Sequence, residues 1–145
     1  MRINKDGIDF ILSFEGCKLT AYQDICGIWT IGAGHIGSVY GNKIHAGMQI
    51  TKTDALNLLK EDLIEIESAI NNLVKVTLSQ NQYNSLCSFI YNVGIHSFKN
   101  STLLAKINEN KMYDAANEFL AWGRAGSHSS ALYKRRVKEK ELFLS

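Results

Sequence analysis

At 145 residues, with 46% hydrophobic and 21% charged residues and a formal net charge of +2, the chain has the composition of one compact soluble domain. The apolar content excludes disorder, and the length excludes two ordinary domains. A membrane span is excluded because the longest apolar runs are short, as between Ile8 and Phe14, where Asp9 and Ser13 interrupt.

The first residues, Met1 to Gly7, are polar and contain no apolar signal region, so synthesis in the cytoplasm without a signal peptide is expected. Ile8, Ile11 and Leu12 then recur at helical spacing, with Asn4 or Asp6 available as the cap and Gly16 as the stop. From Lys18 to Met48 the texture changes. Glycines at 27, 32, 34, 37, 41 and 47 alternate with strand formers such as Tyr22, Ile28, Trp29, Thr30 and Ile31, which predicts a small hairpin-rich lobe over about 17–48.

From residue 51 the pattern is helical to the end. Thr51 with Asp54 forms a capping box, and Leu56, Leu59, Leu63, Ile66, Ile70 and Leu73 continue one face. Ser79 with Gln82 opens the next helix, with Tyr83, Leu86, Ile90 and Val93 inward and Gly94 at its end. Shorter helices are predicted around Ser101–Asn108 and Met112–Trp122. The last helix starts near Ser129 or Ser130 and carries Leu132, Val137, Leu142 and Phe143. The expected architecture is a single α+β, mostly helical domain over 1–145. Its small β lobe is followed by a helical lobe over about 51–145 that also takes in the N-terminal helix, and such a two-lobed form leaves a cleft.

Charge is unevenly spread: residues 1–74 carry six Lys/Arg against nine Asp/Glu, and residues 75–145 carry ten against five. The run Lys134 to Lys140 reads as a solvated helix face with acids interspersed, with a basic flank for an anionic polymer as the alternative. Nucleic acid is not the expected partner, because acids interrupt the run and no recognition motif accompanies it. Cys17, Cys26 and Cys87 are too few and too irregular for a disulfide framework or a zinc site. Three reduced thiols are expected, with a redox bridge between Cys17 and Cys26 as the alternative.

The stretch from Phe14 to His35 carries the chemistry. Glu15 ends a helical pattern, and Asp24 and Thr30 follow in a glycine-rich stretch. Two carboxylates in different settings, with a hydroxyl nearby, can protonate a leaving group and steer a water. Each also has a plain reading: a helix-end charge, a turn former and a strand residue.

Glutamate, eight residues, aspartate, five residues, threonine is the signature that this stretch resembles: that of the phage-type lysozymes of glycoside hydrolase family 24. Glu15, Asp24 and Thr30 match it at the same spacings, within Ala-Tyr-Gln-Asp and Trp-Thr-Ile-Gly-Ala-Gly-His blocks that also look like the family. Similar blocks follow: Leu78 to Tyr83 running on to Gly94, Ser101 to Leu104, and Leu132 to Arg136 with Glu139, so the resemblance covers nearly the whole chain.

The resemblance implies a lysozyme-like two-lobed fold and a muramidase. Such an enzyme hydrolyses the β-1,4 bond between N-acetylmuramic acid and N-acetylglucosamine in peptidoglycan, without cofactor or metal. Glu15 is then the general acid, Asp24 and Thr30 hold the attacking water, and inversion is expected. The quantity that decides stereochemistry is carboxylate separation, about 6.5–9.5 Å for inverting and about 5–5.5 Å for retaining enzymes. Gly34, His35, Tyr91 and Asn92 are the candidate substrate-binding residues. His35 reads as a structural histidine tied to an acid, and Tyr91 equally as core. Arg135 and Arg136 read as braces, with glycan peptide carboxylates as their alternative ligands.

Two departures stand out: Ala131 replaces a glycine usual in the closing motif, and the loop from Gly37 to His45 is longer than in compact members. The expected setting is a monomeric phage or prophage endolysin, made in the host cytoplasm, passed through a holin pore without inserting stably in the membrane, and acting on the wall in the periplasm. The alternatives are an inactive peptidoglycan-binding or regulatory module and a delivered antibacterial effector.

Overall fold

The computed structural model describes residues 1–124 and 130–145, which divide into two compact units: Ile11–Ile64, and Met1–Phe10 with Glu65–Ser145. Helices α1 (Lys5–Glu15) and α2 (Lys52–Leu73) each supply residues to both.

In the unit Ile11–Ile64, three antiparallel strands follow the end of α1 in the order β1 (Lys18–Gln23), β2 (Trp29–Gly32), β3 (His35–Ile36). A second, two-stranded ribbon of β4 (Ser38–Val39) and β5 (Asn42–Lys43) forms within the long 37–45 loop. Strands this short cannot hold a sheet alone. They are held by a core of Ile31, Val39, Ile44 and Leu58, against which Ala21, Trp29, Met48 and Ile50 pack. Each fully buried aliphatic side chain contributes about 1.5–3 kcal/mol, so four of them are enough to fix a small sheet. At the start of α2, Thr51 and Asp54 exchange hydrogen bonds at 3.0 and 3.1 Å, as the sequence predicted.

In the other unit, Asn4 caps α1 by accepting from the Gly7 N–H at 3.1 Å, so of the two candidate caps Asn4 serves. Ile66 and Ile70 of α2 are buried. Helix α3 (Gln80–Val93) starts at a reciprocal Ser79–Gln82 capping box, and every residue from Tyr83 to Ile90 is buried. It is therefore a central helix, not an amphipathic surface one. Three short helices follow: α4 (Ile95–Lys99), which the sequence did not signal, α5 (Thr102–Asn108) and α6 (Met112–Glu118). A 3-10 turn (Phe119–Gly123) takes over where a single helix to Trp122 was expected.

Helix α7 (Ala131–Leu144) begins at Ser130, whose hydroxyl accepts from the Tyr133 N–H at 3.1 Å, while Ser129 lies outside the described residues. Aromatic edges join these helices: Phe89 meets Phe119 at 5.2 Å and Trp122 at 5.7 Å, and Phe119 meets Phe143 at 5.5 Å.

The buried face of α7 differs from the expected apolar one. Arg135, Arg136, Glu139 and Phe143 point inward, whereas Leu132, Val137 and Leu142 are only half-buried. The basic run is thus neither a solvated face nor a free basic flank at its centre. Glu139 takes hydrogen bonds from Arg135 Nε at 3.2 Å, from Arg136 Nη1 and from the Ser88 hydroxyl at 2.6 Å. Those pairings are what allow two guanidinium groups to leave water.

Candidate active site

Glu15 is the last residue of α1 and half-buried. The helix stops there because Gly16 turns left-handed at φ +67°, and its N–H closes on the Leu12 carbonyl at 2.9 Å. The carboxylate is therefore carried by a rigid helix end, at a position set by a glycine.

Asp24 opens the turn between β1 and β2, and its side chain organises that turn. Oδ1 accepts from the N–H groups of Cys26 at 2.8 Å and Ile28 at 2.9 Å. The Asp24 N–H donates to the Ile28 carbonyl, and the Gly27 N–H to the Asp24 carbonyl, both at 2.9 Å. Gly27 supplies the left-handed residue this requires, at φ +78°.

Thr30 lies on β2, 4% exposed, and its hydroxyl donates to the Ile28 carbonyl at 2.9 Å. The main chain of Ile28 thus holds both side chains: its N–H fixes Asp24, and its carbonyl fixes Thr30. With its proton committed, Thr30 Oγ1 presents lone pairs and acts as an acceptor. The turn-former and strand readings of these residues hold in the structure. They describe how the pair is held.

Register adds a residue that the sequence offered only as a strand former. Tyr22 pairs with Thr30, and Thr30 with Ile36, so the three side chains share one face of the sheet. Burial raises the Tyr22 pKa most, and the charges of Glu15 and Asp24 raise it further, so both carboxylates act on one phenol. An irregularity in β1 between Lys18 and Tyr22 sets this register, and neither spacing nor composition reveals it.

Gly34 is exposed at φ +84°. His35 has both ring nitrogens engaged, Nδ1 with Asp62 Oδ2 and Nε2 with the Ser38 carbonyl, each at 2.8 Å. Both partners are acceptors, so the doubly protonated ring fits best. Burial opposes that charge most strongly, but the Ser38 carbonyl and Asp62 outweigh it and the pKa is raised. The expected tie to an acid is present.

Tyr91 and Asn92 belong to the other unit, near the end of α3. Tyr91 is half-buried, and the exposed Asn92 accepts through Oδ1 from Arg136 Nη2. Arg136 is fully buried with its guanidinium 5.0 Å from the Phe89 ring centre, which suits a brace better than a carboxylate receptor.

Cys17, Cys26 and Cys87 are free thiols, the first two exposed and the third buried. Cys17 precedes β1 and Cys26 lies in the turn beyond it. Neither is bonded to another cysteine in the structure. The bridge weighed as an alternative is therefore not present in it. Among the described residues, no group of three or more His, Cys, Asp and Glu side chains makes a metal site, and no helix is long and apolar enough to cross a membrane.

A mostly helical chain with a small antiparallel sheet, carrying a glutamate at a helix end and an aspartate and a threonine held by one main-chain residue, defines a lysozyme-like protein. The comparisons with known proteins narrow this. The profile of the phage lysozyme family matches residues 12–139. The endolysin of Salmonella phage P22 is 47% identical over 145 residues, covering all of this chain and 99% of that protein. A crystal structure of a P22 lysozyme mutant superposes with a TM-score of 0.93 at 46% identity, over 100% of this chain and 99% of the other. The muramidase domain of SpmX from Asticaccaulis excentricus gives 0.87 at 38% identity, over 99% and 98%. The chain belongs to the phage lysozyme family, and is a glycoside hydrolase of the endolysin type.

Proposed function

We propose that the chain is a muramidase that cleaves the β-1,4 bond from N-acetylmuramic acid to N-acetylglucosamine in peptidoglycan, with inversion. The observation that carries the mechanism is the shared hold of Ile28 on Asp24 and Thr30. A water attacking the anomeric carbon gives one proton to a base and needs a second acceptor for the other. Asp24 Oδ1 is saturated by two main-chain donors, so Oδ2 takes the first proton. Thr30 Oγ1, committed as an acceptor, takes the hydrogen bond from the second.

Glu15 protonates the departing oxygen from the opposite side, and the sugar passes through an oxocarbenium-like transition state. No cofactor or metal is required. His35, held by Asp62 and the Ser38 carbonyl, fixes the segment after Gly34, whose bare backbone allows a sugar to approach closely. On the other unit, Tyr91 and Asn92 offer an aromatic face and an amide of the kind that suits a sugar ring and its N-acetyl group.

The biological role that fits is release of phage by a monomeric endolysin that reaches the wall through a holin pore. A delivered effector would use the same chemistry by another route. A binding-only module is not favoured, because Asp24 and Thr30 are both retained and braced together. The test is Glu15→Gln on permeabilised Gram-negative cells: lysis is abolished in a folded protein, and retained lysis overturns the acid role.

A further inference from the structure

Tyr22 has a place in the site that neither spacing nor composition assigns. It lies directly across from Thr30 in the register, on the same sheet face as the threonine hydroxyl, and two residues before Asp24. The irregularity in β1 between Lys18 and Tyr22 re-aims the strand at this point, a device common beside active sites. The Lys18 ammonium stands 4.3 Å from the centre of the Tyr22 ring and holds its orientation by a cation–π contact.

We propose that Tyr22 is a substrate-contacting residue whose phenol donates a hydrogen bond to an oxygen of the sugar lying between Glu15 and Asp24, with Lys18 as its positioning residue. The proposal rests on the reading of Glu15 and Asp24 as acid and base. Two negative groups orient a neutral O–H dipole with its proton toward them, which is toward the space where the sugar sits. Burial and both carboxylates keep the phenol from ionising, so it remains a donor at every pH where the enzyme works.

The test compares Tyr22→Phe, Lys18→Gln, the double variant and Glu15→Gln on purified peptidoglycan, with thermal midpoints measured on each. Tyr22→Phe keeps the ring and the cation–π contact and loses only the hydroxyl, so its midpoint stays at the wild-type value while kcat/KM falls about tenfold. Lys18→Gln lowers kcat/KM about threefold, and lowers it no further once the hydroxyl is gone, because it acts through Tyr22. Wild-type kcat/KM in Tyr22→Phe, with Glu15→Gln inactive, overturns the proposal and leaves the acid assignment standing. A Glu15→Gln protein that still hydrolyses overturns the underlying reading, and the proposal with it.

Discussion

Replacing Glu139 by Gln is expected to cost about 3–5 kcal/mol of stability. Glu139 is fully buried and receives both Arg135 and Arg136, themselves 6% and 0% exposed, together with the Ser88 hydroxyl. Burial is the strongest influence on its carboxyl and raises the pKa, while Arg136, Ser88 and Arg135 pull the other way. Every polar neighbour is a donor, so the ionised form is the one the site fits. Glutamine keeps the volume but removes the charge and turns one acceptor into a donor facing a guanidinium group. Breaking a buried pair by removing one partner costs about 3–5 kcal/mol. At about 2–4 °C per kcal/mol for a domain of this size, the midpoint falls by roughly 6–20 °C. Differential scanning calorimetry at neutral pH measures this directly. A loss under about 3 °C would show that solvent or rearrangement already satisfies the arginines, and would refute the reasoning.

Thr30→Val keeps shape and burial but removes the acceptor, so kcat falls about a hundredfold with KM nearly unchanged; an equal rise in KM would instead mark a binding role. His35 has a raised pKa, so its pairing stabilises fully below about pH 6.5, the unfolded value, and is lost as pH rises through the folded one. Asp62→Asn should therefore cost about 1–2 kcal/mol near pH 5.5 and progressively less toward alkaline pH, read from urea midpoints; a pH-independent cost would contradict this. Gly16→Ala forces a left-handed alanine at φ +67° and should cost about 1 kcal/mol, with activity falling further than the midpoint suggests as Glu15 shifts.

Much of the fold was legible because local chemistry decided it. The Ser79–Gln82 and Thr51–Asp54 boxes announce helix starts through the same side-chain bonds that the structure contains. The apolar stripe of α2 carries through as well, with Leu59, Leu63, Ile66 and Ile70 buried. Helix α7 misled for a physical reason: its inward face is charged, and periodicity of apolar residues is blind to arginines buried against a glutamate. Helix α4 is five residues long, too short to write a period.

In the site, Glu15, Asp24 and Thr30 were legible as a spacing, but the reason Asp24 and Thr30 are held as a pair was not. That reason is the main chain of Ile28, whose side chain carries no signal of it. Tyr22 escaped because its position depends on a strand irregularity. His35 could be read as tied to an acid, yet nothing in the sequence pointed to Asp62, 27 residues on, as the partner.

The most direct test of the account is digestion of purified peptidoglycan, with mass analysis of the new ends and NMR of the first-formed anomer. Reducing N-acetylmuramic ends released with the α configuration, and absent with Glu15→Gln, are the predicted result, since inversion of a β bond by the Asp24-bound water gives the α product. Anhydro ends, or β product formed at the outset, would contradict a water held by Asp24 and Thr30.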